Sequence, residues 1–92
     1  MATIINGDGS RVAIDLRAMP LAGRLKVLQA IVGGFLETVS VGSGQHLLYW
    51  EDAKRMGKQP NHHATAIAGA FLMVGDYIAG PAVLATQAEL DA

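Results

Sequence analysis

Residues 20–41 read PLAGRLKVLQAIVGGFLETVSV, and this stretch predicts a helix, a glycine stop and a strand. Apolar residues recur every three to four positions, the spacing that places side chains on one face of a helix: Leu21, Leu25, Leu28 and Val32, with Val27 and Ile31 beside them. The polar residues fall on the other side: Arg24, Lys26 and Gln29. Pro20 suits a helix start, and Gly33-Gly34 offers the left-handed conformation on which helices commonly end. We therefore predict a main helix over residues 20–32.

The segment after the two glycines predicts a strand. In an extended chain its side chains alternate between two faces. One face carries Phe35, Glu37, Val39 and Val41, and the other carries Leu36, Thr38 and Ser40. Glu37 is the exception among apolar neighbours, because a buried carboxylate is costly without a partner. Glu37 is therefore expected to be paired, to lie at a rim, or to face a ligand.

Composition limits the class of protein. The chain has 92 residues, which predicts one small α/β domain over residues 1–92, and 51% of them are hydrophobic, which favours a homo-oligomer that covers part of this surface. The formal net charge is −1, so the chain lacks the excess of basic residues that is typical of a nucleic-acid binder. The chain has no cysteine, and its sequence shows neither a secretory leader nor an apolar run that could span a bilayer. We expect a cytoplasmic protein.

The order of the remaining patterns predicts an α+β fold. Residues 3–6 and 11–16 form a first hairpin around a glycine-rich turn, and residues 46–50 pair with the strand at 35–41 as a second hairpin in which 46–50 is central. Residues 51–59 are a charged loop, and Asn61 caps a short helix over 61–68. Residues 70–74 are a strand candidate, 77–85 an edge strand interrupted by Gly80-Pro81, and 86–92 a polar tail. The expected fold is a mainly antiparallel sheet of four to five strands with one main and one short helix.

The chain resembles a family of small proteins of phages, plasmids and conjugative elements, the domain-of-unknown-function family numbered 3846. The resemblance covers roughly residues 28–76, and its most specific parts are Gly33-Gly34-Phe35-Leu36-Glu37 and Pro60-Asn61 before Ala64-Thr65. It implies a mobile genetic element as the setting and an architecture of a few strands with a main helix. Neither motif carries known chemistry.

Catalytic and metal sites are not predicted. His62 and His63 are adjacent and cannot readily chelate one metal ion, and His46 lies at no helical metal-site spacing from them. Combinations of Ser40, Ser43 or Thr65 with a histidine lack a nucleophile-elbow pattern. We therefore expect no enzyme activity, no cofactor and no metal.

Two functions from different classes remain. The first is a phage or mobile-element inhibitor that binds a host protein, for example in anti-CRISPR or anti-restriction defence. The second is a homo-oligomeric sponge for a small molecule or nucleotide signal, with pockets between subunits. The candidate binding residues are Glu37, Trp50, Glu51, Asp52, Lys54, Arg55, Asn61 and His62. We further predict that Lys54, Arg55 or the Asn61 amide holds the Glu37 carboxylate.

Overall fold

A computed structural model describes residues 1–91 of the chain; Ala92, the last residue of the predicted polar tail, lies outside the described residues. The strands are β1 (Ala2–Ile5), β2 (Arg11–Ile14), β3 (Leu36–Ser40), β4 (Gln45–Trp50) and β5 (Ala82–Thr86). The α-helices are α1 (Leu21–Val32), α2 (His62–Ala68) and α3 (Gln87–Asp91), and short 3-10 helices occupy Leu16–Ala18 and Gly69–Phe71. The predicted α+β class, main helix and short second helix are confirmed.

The five strands form one antiparallel sheet in the order β2-β1-β5-β4-β3. Two hairpins, β1-β2 and β3-β4, form its two halves, and β5 lies between them. In the central rows Leu84 of β5 stands opposite Thr3 of β1 and Leu47 of β4. The prediction that the second hairpin places β4 inside the sheet is confirmed, and β3 is an edge.

Helices cover both faces of the sheet. Adjacent residues of a strand point to opposite faces, and their apolar side chains therefore belong to two separate apolar clusters. On one face Leu28 and Val32 of α1 pack with Leu48 and Val83. On the other face the small residues of α2 pack with Leu47. Strands with both faces covered have near-continuous apolar sequence instead of strict alternation, as 47–48 and 82–85 have.

Helix α1 ends as predicted, but only the C-terminal half of its predicted apolar face, Leu28 and Val32, is buried. Gly33 adopts φ 110° and its N–H donates to the Gln29 carbonyl, the expected helix stop. Leu21 and Leu25, predicted to be buried, are 57% and 53% exposed, whereas Arg24 is only 6% exposed. That part of the prediction is wrong.

Arg24 is buried because its neighbours supply backbone acceptors. Its Nε donates to the Met19 carbonyl at 3.2 Å and its Nη1 to the Glu89 carbonyl at 3.0 Å. A buried guanidinium is tolerated when its donors are bonded in this way. The acceptor in α3 lies 65 residues away in sequence, so the helical pattern of residues 20–32 gave no sign of it.

The C-terminal third departs most from the prediction. Residues 70–74 are not a strand: they begin in the 3-10 helix Gly69–Phe71 and continue as an exposed loop with no strand pairing. The last strand starts only after Gly80-Pro81, so proline removes no hydrogen bond from it, and it is central where an edge was predicted. The predicted polar tail forms the helix α3.

Candidate functional site

Trp50, at the end of β4, lies directly against the backbone of the two glycines that end α1. A Cβ atom added at Gly34 would lie 2.7 Å from the indole Cε2 and 2.8 Å from Cδ1, and one added at Gly33 would lie 3.0 Å from Cε3. At Gly34 the indole Nε1 would lie closer still, so a side chain requires the ring to shift, whereas at Gly33 the ring would have to give by a few tenths of an ångström. The glycine pair therefore has two functions, ending the helix and admitting the indole ring, and only the first was predicted from sequence.

A pocket of about 310 Å³ opens beside this indole. It is lined by Gln29, Gly34, Phe35, Trp50 and Asp52. Phe35 is 72% exposed, and the Nζ atom of Lys58 lies 6.0 Å from the centre of the Trp50 ring, at the limit of a cation–π contact. The pocket thus combines aromatic surface with one amide and one carboxylate.

The charged loop after β4 is organised by two ion pairs. Arg55 lies 3.1 Å from the carboxylate of Asp52, and Lys54 pairs with Asp76. The hydrogen bond to Asp76 raises the pKa of Lys54, and the same bond lowers the pKa of Asp76, so both stay charged near neutral pH. Glu51 is exposed, and its N–H donates to the Phe35 carbonyl at 2.9 Å, which extends the β3-β4 pairing by one residue.

An apolar turn, defined here as residues 72–77, projects from the chain beyond α2. Met73 is 83% exposed and Val74 fully exposed. The Asp76 N–H donates to the Met73 carbonyl at 2.9 Å, and the Asp76 carboxylate accepts from the Tyr77 N–H at 2.8 Å and from Lys54. Lys54 also lies 5.0 Å from the centre of the Tyr77 ring. Hydrogen bonds and an ion pair therefore restrain the backbone of the turn that carries these exposed apolar side chains.

The predicted contacts of Glu37 are not formed within residues 1–91. Lys54 and Arg55 pair with Asp76 and Asp52, and Asn61 bonds elsewhere. Glu37 is exposed because β3 is an edge strand that helix α2 does not cover at this position. It stands opposite Tyr49, whose pKa is raised by partial burial and then by the Glu37 charge. Of the three expected settings, the rim is the one observed.

Asn61 is a structural residue. Its side chain is fully buried, accepts from the Ala64 N–H at 3.0 Å as the predicted helix cap, and donates to the carbonyls of Ile5 and Gly80 at 2.9 Å each. These bonds tie α2 to β1 and to the segment before β5. The neighbouring His62 is exposed, and neither Asn61 nor His62 lines the pocket beside Trp50.

A second polar cluster, unforeseen from sequence, joins α1 to α3. The Glu89 carboxylate accepts from the Thr86 N–H at 3.0 Å and the Thr86 hydroxyl at 3.1 Å, while the Glu89 carbonyl accepts from Arg24. Burial raises the pKa of Glu89, but the hydrogen bonds from Thr86 and nearby positive charges outweigh it and the net pKa is lowered. The pattern Thr86-x-x-Glu89 is a capping-box signal that could have identified α3.

Within residues 1–91 no group of three histidine, acidic or cysteine side chains is placed to hold a metal ion. The described helices are all too short or too polar to cross a membrane.

Comparison with known proteins identifies a family but no characterised relative. No curated protein and no solved structure gives a significant match to the chain. The model of one family, described as Domain of unknown function (DUF3846), matches residues 2–89, nearly the whole chain. The resemblance noted from the glycine and Pro-Asn motifs is therefore confirmed over a longer range, and the chain belongs to the DUF3846 family.

Proposed function

We propose that the protein is a non-enzymatic inhibitor that binds a host protein through the apolar turn at residues 72–77. One observation carries the proposal: Met73 and Val74 are almost completely exposed on a turn that hydrogen bonds and the Lys54–Asp76 pair hold in place. A soluble domain gains nothing in its own stability from such a turn. Contiguous exposed apolar groups rimmed by polar ones are typical of protein interaction sites.

The turn is suited to binding in both its apolar surface and its order. Burying an exposed valine or methionine side chain contributes about 1.5–3 kcal/mol. The hydrogen bonds of Asp76 to the Met73 carbonyl, the Tyr77 N–H and Lys54 already restrain the backbone of the turn, so less backbone freedom is lost on binding. Phe71, which is half exposed and lies beside Gly42, extends the same surface toward the β3-β4 turn.

The family resemblance supports a setting for this function. The resemblance to small proteins of phages, plasmids and conjugative elements supports a role of the chain inside a host cell, where such elements meet defence systems. An inhibitor of a defence protein, such as a CRISPR or restriction component, requires a binding surface and no catalytic group. The cytoplasm of the host is the corresponding location.

We expect the inhibitor to be a homodimer that pairs through the outer edge of β3. Leu36–Ser40 is the last strand of the sheet, and its outer backbone groups make no ladder with another described strand. Antiparallel pairing centred on Thr38 sets Glu37 opposite Val39 of the second copy, which avoids facing two carboxylates. A two-fold axis there gives an isologous interface.

The test uses tagged full-length protein with lysate from a bacterial host that carries CRISPR and restriction systems. Met73→Ser combined with Val74→Ser is compared with Met56→Ser, which alters another exposed methionine outside the turn. We expect a stoichiometric host protein to be captured by wild type and by Met56→Ser and lost in the double variant. Capture that is unchanged in the double variant, or a defence assay in which the double variant inhibits like wild type, contradicts the proposal.

A further inference from the structure

The pocket beside Trp50 has binding groups that the fold does not use. Within residues 1–91 the Gln29 side-chain amide makes no hydrogen bond, and the Asp52 carboxylate pairs only with exposed Arg55. Such an exposed pair is weak and leaves lone pairs on both oxygens for another donor. The pocket lies apart from the apolar turn, whose residues do not line it.

The pocket also offers aromatic surface to a flat molecule. Phe35 is largely exposed, and the Trp50 indole is fixed by Gly33-Gly34, so neither needs to be ordered by folding of a loop. Planar rings of nucleobases stack on such side chains. A volume of about 310 Å³ is at the small end of ligand pockets and admits a base with part of its sugar.

The carboxylate decides which base fits. An ionised Asp52 only accepts hydrogen bonds, so the ligand edge that faces it has to present N–H donors. Guanine presents two adjacent donors, its ring N1–H and its exocyclic amino group. Adenine and cytosine present an amino group next to a ring nitrogen acceptor, which a carboxylate repels. The Gln29 amide has a donor for the O6 acceptor of guanine.

A cationic ligand fits less well than a base. Lys58 already places its ammonium group near the Trp50 ring, and Arg55 lies beside Asp52. These two cations repel a second positive charge and suit a ligand that carries a negative group outside the pocket. We propose that the pocket lined by Gln29, Gly34, Phe35, Trp50 and Asp52 binds the guanine base of a nucleoside or nucleotide.

Trp50 is the one tryptophan of the chain, so its fluorescence reports directly on the pocket. Full-length protein is titrated with guanosine, inosine and adenosine; inosine is guanosine without the exocyclic amino group. A saturable change in fluorescence is expected with guanosine. Inosine is expected to bind at least about tenfold more weakly than guanosine, because a hydrogen bond to a charged group is lost. Adenosine is expected to bind more weakly than guanosine. No saturable change with guanosine, or equal affinity for all three nucleosides, overturns the proposal.

Two variants separate the carboxylate from its ion pair. Asp52→Asn is expected to weaken guanosine binding by about tenfold, since the amide nitrogen faces a donor. Arg55→Gln breaks the same ion pair but keeps the carboxylate, and because guanosine carries no negative group for Arg55 to attract, the guanosine affinity is expected to stay within about threefold of wild type. Far-ultraviolet circular dichroism checks that both variants fold. The comparison of the three nucleosides on wild-type protein tests the proposal even if a variant does not fold. Unchanged guanosine affinity in Asp52→Asn contradicts the site, whereas the double variant of the apolar turn is expected to bind guanosine normally.

Discussion

Replacing Gly34 with alanine tests the contact between the glycine pair and Trp50. The new methyl group would lie 2.7 Å from Cε2 and 2.8 Å from Cδ1, whereas ordinary contact begins at 3.4 Å. The indole has to move by about 0.7 Å to relieve the Cε2 overlap alone, and these atoms belong to a rigid ring instead of a flexible chain end. Overpacking of this kind costs about 1–3 kcal/mol. We expect Gly34→Ala to reduce the free energy of unfolding by that amount, measured by urea denaturation.

The reasoning makes a sharper statement in a Trp50→Leu background. Gly34 does not have a positive φ, so its backbone accepts alanine once the ring is gone. The same substitution should then be neutral or stabilise by about 0.4–1 kcal/mol, because alanine restricts the unfolded chain. Gly33→Ala is the matched control: at φ 110° it strains the backbone and should destabilise in both backgrounds. A Gly34→Ala cost that is the same with and without Trp50 refutes the close contact.

Three other expectations concern the core, the acid range and the oligomer. Leu28→Ala should cost about 2–5 kcal/mol in urea denaturation, while Leu25→Ala, at an exposed position of the same helix, should cost less than about 1 kcal/mol; equal losses would mean that α1 is oriented differently. Because the pKa of Glu89 is lowered in the folded protein, its carboxylate stabilises the fold above the unfolded pKa of about 4.3, and this stabilisation is lost as pH falls through the lower folded pKa. The difference in free energy of unfolding between wild type and Glu89→Gln should therefore disappear in acid. Light scattering should give a dimer mass, and Thr38→Lys, which sets two lysines opposite each other, should give a monomer; a wild-type monomer at micromolar concentration rules out pairing through β3.

Local signals were sufficient wherever a residue acts on its own segment. Gly33 ends α1 and Asn61 caps α2 as expected, because both effects depend on neighbours within four residues. The burial of Arg24 depends on a carbonyl 65 positions away, and no period in the sequence encodes it. The position of β5 was mispredicted because Gly80-Pro81 was taken as part of the strand instead of its boundary.

The candidate site was predicted in part and for a mistaken reason. Trp50 and Asp52 do line the pocket of about 310 Å³ beside the indole. The prediction, however, grouped them with Glu37, which lies on the opposite face of the sheet from the indole. Helices cover both faces of the sheet, so a position near the same end of the hairpin does not decide which layer a side chain joins. Side chains of adjacent strand positions then belong to different layers, and proximity along the chain does not bring them together.

The central place of β5 has a kinetic consequence. The β1-β2 and β3-β4 hairpins form from local contacts. In the sheet they are not hydrogen-bonded to each other, and both pair with β5 (residues 82–86), which lies between them. Nearly the whole chain must therefore be available before the two halves can join, and the pairing of β1 with β5 closes a loop of more than 75 residues. Folding should be slow for so small a domain, and the sheet should assemble only after synthesis has passed residue 86. Until then each hairpin exposes an open edge to other chains.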